Sequence, residues 1–165
     1  MRLRGRCVSV AALLACLAVM SACSAEPERP SLKAAAAQLV ADGEKLVASR
    51  ELTAAGTVTV TERADQDGEL GCLKGQVQRF FRAQGDLAGS PSAHSAGNSA
   101  GLMLSALRNL GYDKIMDSLD IRDENLSVTL AQNPKTGIIF LVAVRRSPEP
   151  NIMIVGKTNC YERSE

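Results

Sequence analysis

The sequence predicts an α+β domain in two layers, with two helices on one face of an antiparallel sheet of about five strands. Two segments carry apolar residues at helical spacing on one side only, which is typical of helices packed on a sheet. Other segments alternate polar and apolar residues and are joined by turns rich in Gly, Asn, Asp and Pro. Such short connections favour antiparallel hairpins over parallel crossover units.

The first predicted helix begins after Ser31, a suitable N-cap, and runs to about Arg50. Gly43 lies on its apolar side, where glycine costs about 1 kcal/mol relative to alanine unless close packing requires it. The other residues of that side are Leu32, Ala36, Leu39, Leu46 and Val47. Because the opposite side is charged, we expect this helix to bury one face only.

The second predicted helix is capped by Asn98 or Ser99 and ends at Leu110. Gly111 then follows in the place where a helix usually ends in the left-handed conformation. The apolar stripe of this helix consists of Met103, Ala106, Leu107 and Leu110. A methionine in such a stripe indicates a core position rather than a ligand.

The predicted strands differ in how far they should be buried. Residues 57–61 alternate threonine with valine, which indicates a half-buried strand, and residues 76–84 form its partner. Residues 115–121 are ambiguous, and a helical turn that leads into an edge strand is one interpretation. Residues 138–144 are apolar throughout, so we expect a central strand covered on both faces. The remaining strands are residues 126–130, joined to the central strand by a hairpin at 133–137, and residues 151–161.

Residues 1–22 are predicted to be an export signal. Arg2, Arg4 and Arg6 give the start of the chain a positive charge, and a run without charged residues follows from Val8 to Met20. This run is too short to cross the hydrocarbon core of a bilayer, which needs about 20 apolar residues. The pattern therefore favours a signal peptide over a membrane-spanning helix.

The run ends in Met20-Ser21-Ala22-Cys23, which resembles the lipobox of bacterial lipoproteins, with methionine where leucine is usual. In that family a diacylglyceryl transferase modifies the cysteine and a dedicated signal peptidase cuts before it. The resemblance implies a lipid on Cys23 and an anchor in the bilayer at the outer face of the cell membrane. Two alternatives stay open, namely cleavage by an ordinary signal peptidase after Ala25 and retention of the uncut segment as an anchor.

The rest of the chain then divides into two parts. Residues 23–31 form a lipidated tether, and its eight residues after the cysteine reach about 25 Å. Residues 32–165 form a single α+β domain, as their number predicts. The order of elements and the two cysteines of this domain look like those of small predicted lipoproteins of high-GC Gram-positive bacteria, which mostly lack an assigned activity.

The cysteines fit an oxidising compartment. Cys7 and Cys16 are removed with the signal and Cys23 carries the lipid, so Cys72 and Cys160 remain as an even pair. An even pair outside the cytoplasm predicts a disulfide, with two buried thiols as the alternative. No C-x-x-C pair is present, and two cysteines without neighbouring histidines make a poor metal site.

No motif of the sequence predicts a catalytic, metal or cofactor site. His94, the only histidine, lies in a loop of small residues, and we expect a solvated linker there rather than a catalytic base. Residues 65–69 begin like a calcium-binding loop, but Leu70 and Gln76 stand where that loop needs glycine and glutamate, so a turn is expected. The acidic residues are expected to form a solvated edge; they are Asp117, Asp120, Asp123 and Glu124.

The composition of the chain argues against one class of function. The mature chain is slightly acidic and the protein has only 3% aromatic residues, which argues against a nucleic-acid binder. We therefore expect a membrane-anchored, extracytoplasmic lipoprotein that is not an enzyme and binds an envelope protein or a wall component. Two alternatives remain: a lipid-tethered partner or sensor of a membrane protein, and an extracytoplasmic hydrolase with an unrecognised site.

Overall fold

The computed structural model describes residues 29–50, 52, 56–87, 96–116, 123, 125–146 and 150–163. These residues form two helices and eight strands. In chain order the elements are α1 (Leu32–Val47), β1 (Gly56–Arg63), β2 (Gln76–Val77), β3 (Phe80–Leu87), α2 (Ala96–Asn109), β4 (Asp113–Met116), β5 (Leu126–Gln132), β6 (Ile139–Arg145), β7 (Ile152–Lys157) and β8 (Tyr161–Glu162).

The main sheet confirms the predicted α+β class. Its strands lie in the order β1-β3-β7-β6-β5-β4, and every neighbouring pair is antiparallel. The described residues thus place six strands in this sheet rather than about five. The additional strand is β4 at the edge, which resolves part of the ambiguous segment 115–121; residues 117–121 lie outside the described residues.

Both helices pack on the same face of the sheet. A Cβ atom on Gly43 of α1 would lie 2.7 Å from the ring of Phe81, which occupies that face of β3, so this position requires glycine. A Cβ atom on Gly97 of α2 would lie 3.6 Å from the hydroxyl of Ser127, which lies on the same face of β5. The core between the layers is centred on Leu39, Phe81, Met103, Phe140, Val142 and Ile154.

Helix α1 starts as predicted, whereas α2 starts earlier than predicted. The hydroxyl of Ser31 accepts a hydrogen bond from the amide of Ala34 at 3.3 Å, which confirms the N-cap. Helix α2 begins at Ala96, so the expected caps Asn98 and Ser99 lie within its first turn, and Ser99 is buried. Buried small residues there let the first turn pack closely on the sheet. Gly111 has the predicted positive φ of 84° at the other end.

Two predicted strands are each broken into two. The segment 76–84 divides into β2 and β3 because the amide of Arg79 donates to the hydroxyl of Thr158 at 3.0 Å instead of to a strand of the main sheet. The segment 151–161 divides into β7 and β8 at the same place, where the amide of Thr158 donates to the carbonyl of Arg79 at 3.0 Å. Beyond this crossing point β2 pairs with β8 in a separate two-stranded sheet.

The expectation that residues 138–144 are covered on both faces is wrong. Strand β6 is central, but its residues alternate, with Phe140, Val142 and Val144 buried under the helices. Ile139 and Leu141 point to the other side and are only partly buried. An unbroken apolar run indicates a central strand, yet it does not specify what covers the second face.

Candidate functional site

The structure describes only some of the residues singled out in the sequence. Cys23, Ala25 and His94 lie outside the described residues, as do most members of the acidic cluster. Cys72 and Cys160 are described, and their sulfur atoms lie 2.00 Å apart with a Cα–Cα distance of 5.7 Å. These are the dimensions of a disulfide, as the cysteine count predicts.

The disulfide fixes a loop beyond the end of the β1–β3 hairpin. We call residues 69–75 the disulfide loop. The amide of Cys72 donates to the carbonyl of Glu69 at 3.0 Å, and the amide of Gln76 donates to the carbonyl of Leu73 at 3.0 Å. The amide of Arg163 donates to the carbonyl of Gly75 at 3.0 Å, so both sides of the loop are held. The loop is therefore a built part of the fold.

The face of the sheet opposite the helices, here the uncovered face, divides into two halves. No described helix packs on it. One half, the apolar half, belongs to β5, β6 and β7 and shows aliphatic side chains from every second residue. Met153 is 40% exposed, and Val128 is shielded by its neighbours. The members of the apolar half are Leu126, Val128, Leu130, Ile139, Leu141, Ala143, Met153 and Val155.

The other half, the polar half, belongs to β1 and β3. Arg82 forms an ion pair with Glu62 at 2.7 Å, and its guanidinium lies 4.8 Å from the centre of the Phe80 ring. Thr57 and Thr59 are exposed in the same half. Gln84 and Asp86 complete the polar half. This composition is what an antiparallel sheet normally presents to water.

A groove with a volume of about 480 Å³ crosses the apolar half at one end of the sheet. Its floor consists of Leu126, Val128, Leu141, Ala143 and Met153. Arg145, Asn125 and Asp123 form its rim, where Asp123 accepts a hydrogen bond from the amide of Asn125 at 2.8 Å. An apolar floor with a few polar groups at the rim is the usual form of a binding site.

Sequence reasoning missed this groove, although its residues were assigned to the correct strands. The groove could have been found by considering the apolar patterns of two neighbouring strands together. Leu126, Val128 and Leu130 alternate in one predicted strand, and the continuous apolar run follows across a hairpin. The apolar run contributes aliphatic residues to both faces of the sheet. When the two segments pair in register, Leu126, Val128 and Leu130 lie beside the residues of one of these faces, so the sheet has an apolar face on the side away from the helices.

A buried acid joins α1 to the residue before β4. Asp42 is 2% exposed; it accepts hydrogen bonds from the Tyr112 hydroxyl at 2.9 Å and from the Gln38 amide at 2.8 Å. Burial, followed by the negative charge of Asp42, raises the pKa of the Tyr112 phenol well above its ordinary value. With its partners satisfied inside the core, this pair holds α1 against the sheet and offers no group to a substrate.

A second cavity, of about 510 Å³, lies between the end of α1 and β1. Its mouth carries the ion pair of Glu44 and Arg63 at 3.1 Å, and both side chains are about half exposed. Within the part of the chain that the structure describes, no three acidic, histidine or cysteine residues are grouped to hold a metal ion. The same residues include no helix that is long and apolar enough to cross a membrane.

Comparisons with protein-family models, with curated protein sequences and with solved structures found no match to this chain. The functional interpretation therefore depends on the residues themselves. Among the described residues the groove is one site where exposed apolar surface and polar groups come together.

Proposed function

We propose that this protein is a lipoprotein anchored at the outer face of the cell membrane through Cys23, and that it acts by binding rather than by catalysis. The observation that carries the binding role is the apolar half of the uncovered face. The helices cover one face of the sheet, and partly exposed leucine and methionine side chains lie on the other face. Exposed apolar surface of this kind is typical of an interaction site.

The groove lies at the end of the sheet away from the disulfide loop. Arg145 pairs with Leu126 at that end, whereas Lys157 pairs with Ile139 and Phe80 at the end nearer the loop. The strands separate these ends by about 20 Å, at 3.3 Å per residue. A tether that joins the domain at the loop end leaves the groove facing away from the membrane.

We infer that the partner is an envelope protein that presents an aliphatic segment with an acidic group. The aliphatic floor fits the segment, and Arg145, which makes no ion pair among the described residues, faces the acid at the rim. A charge-assisted hydrogen bond to the guanidinium would fix the direction in which the segment lies. A polysaccharide of the wall fits this floor less well, since no aromatic side chain lines the groove.

The anchor is tested with Cys23→Ala, with Cys16→Ala as the matched control because Cys16 lies inside the signal. Cells expressing each variant are fractionated and the mature chain is weighed by mass spectrometry. We expect Cys16→Ala to stay in the membrane with the mass of a diacylglyceryl group at its first residue. We expect Cys23→Ala to accumulate as an uncut precursor or to leave the membrane. Membrane-bound, correctly cut Cys23→Ala would contradict lipid anchoring.

The binding role is tested by placing a photo-crosslinking amino acid at Met153 in the apolar half and, as the control, at Thr59 in the polar half. We expect Met153 to give a crosslinked adduct with one envelope protein in intact cells, and Thr59 to give none. Adding Arg145→Glu should abolish the adduct if the acidic group is present. Equal labelling at both positions, or an adduct indifferent to Arg145→Glu, would refute the proposed partner chemistry.

A further inference from the structure

Two leucines of the disulfide loop are the most exposed large apolar residues that the structure describes. Leu70 is 84% exposed and Leu73 is 76% exposed, and they stand on either side of Cys72. A single exposed leucine is ordinary on a protein surface. Two leucines on one cross-linked loop form an apolar surface that is almost fully exposed to water.

The loop holds these side chains outward instead of letting them fold back. Its backbone is hydrogen-bonded on both sides, and the disulfide joins it to the residue before β8. The carbonyl of Leu70 also accepts a hydrogen bond from the side-chain amide of Gln78, which is only 2% exposed. Little conformational entropy is lost when a loop that is already held in this way binds a surface.

Two of the acids near the loop are paired with arginines, and a lysine follows the second leucine. Glu69 forms an ion pair with Arg163, and Asp67 forms one with Arg79 at 2.8 Å, so these acids are neutralised locally. Glu162 accepts a hydrogen bond from the side chain of Gln76 at 2.8 Å. Lys74 follows Leu73 directly and makes no ion pair within the described part of the chain.

The loop also lies near the point where the tether joins the domain. Tyr161 pairs with Val77, just after the loop. Burial raises the pKa of the Tyr161 phenol, and the guanidinium of Arg29 acts against this, which places the first described residue close by. Five residues lie between Cys23 and Arg29, so the chain from Cys23 to Arg29 spans at most about 20 Å.

We propose that the disulfide loop is a second membrane contact. Leu70 and Leu73 enter the interfacial region of the bilayer that holds the lipid on Cys23, and Lys74 lies at the level of the anionic headgroups. The proposal rests on the anchor proposed above. A lipid anchor retains a protein, and an apolar and basic contact adds a second signal that fixes its orientation. The groove then points away from the membrane.

The chain contains no tryptophan, which allows a direct test. Leu70→Trp and Leu73→Trp each introduce a single reporter at an exposed position. Thr57→Trp is the matched control, since Thr57 is exposed and pairs with Asp86 at the far end of the sheet. The full lipidated protein is inserted in vesicles of phosphatidylglycerol and phosphatidylcholine, with and without bromine on the acyl chains, and flotation of the vesicles measures anchoring.

We expect brominated lipid to quench the fluorescence at positions 70 and 73 at least twofold more than at position 57. Lys74→Glu should reduce this quenching on anionic vesicles. Protein that floats with the vesicles but shows equal quenching at all three positions would overturn the loop contact and leave the anchor intact. Protein that does not float would overturn the anchor and the loop contact together.

Discussion

The polar and apolar halves of the uncovered face lie in one sheet and on one side, yet they differ in composition. In the polar half, Arg82 pairs with Glu62 and exposed threonines face the solvent. In the apolar half, leucine and methionine take the equivalent positions of β5, β6 and β7. The polar half shows that this fold tolerates a hydrated second face. The aliphatic side chains of the apolar half therefore need a reason other than the fold, and we infer that the reason is a partner.

The largest effect is expected at the disulfide, which holds the end of the polar half. Replacing both Cys72 and Cys160 by serine removes a cross-link between residues 88 apart in sequence. In the chain-entropy model this costs about 4–5 kcal/mol of unfolding free energy, measured by denaturant titration. Hydrogen exchange should rise first in β2 and β8, while the amides between β5 and β6 stay protected. Equal loss of protection in both regions would show that the disulfide stabilises β5 and β6 as much as it stabilises β2 and β8.

The covered face gives the reference value for true core residues. Phe140 is fully buried and lies 5.4 Å from the Tyr112 ring and 6.3 Å from the Phe81 ring, both edge to face. Phe140→Ala should lower the unfolding free energy by about 3–5 kcal/mol, because the cavity it leaves cannot fill completely. Chemical denaturation measures it. A loss below 1 kcal/mol would place the core elsewhere.

A smaller effect is expected where α1 is held to the sheet. Tyr112→Phe removes the hydrogen bond to Asp42 and should cost about 1–3 kcal/mol at neutral pH, since the buried carboxylate keeps only its other donors. Gln38→Ala is the control on the same carboxylate. Unfolding free energies at pH 7 measure both changes, and a neutral Tyr112→Phe would show that the pair does not hold the helix.

The buried Tyr112 phenol should also make the unfolding free energy depend on pH. Burial, and then the charge of Asp42, raise the pKa of Tyr112 in the folded state above its ordinary value of 10.0. The unfolded chain releases that proton near pH 10, whereas the folded chain keeps it, so this contribution to stability is present below pH 10 and is lost as pH rises. The loss is up to about 1.4 kcal/mol per pH unit for one proton. Tyr112→Phe should therefore show a shallower decline above pH 10, and an unchanged decline would contradict the assignment.

Most of the fold followed from the sequence because local patterns are strong in these elements. The cap at Ser31, the left-handed Gly111 and the hairpin after β5 depend on a few neighbouring residues and were predicted. The breaks after Val77 and Lys157 were not predicted. They depend on mutual hydrogen bonds between Arg79 and Thr158, which lie far apart in the chain.

The candidate sites were less predictable than the fold. The apolar run of β6 was correctly assigned to a central strand, but its cover was misjudged because Phe140 and Leu141 look alike in sequence and face opposite sides. Leu70 belongs to a predicted turn, and no pattern in the sequence singles out Leu73. Their exposure depends on the cross-link between Cys72 and Cys160, which holds the loop out from the core.

The smallest effect is expected when two side chains of the apolar half are replaced by threonine. Leu141→Thr combined with Met153→Thr gives the apolar half the side chains that the polar half uses at Thr57 and Thr59, and threonine suits a strand. If the fold does not need the apolar half, the unfolding free energy of the double variant stays within about 1 kcal/mol of the wild-type value. A loss as large as that of Phe140→Ala would show that these side chains belong to the core, and would contradict a binding surface in the apolar half.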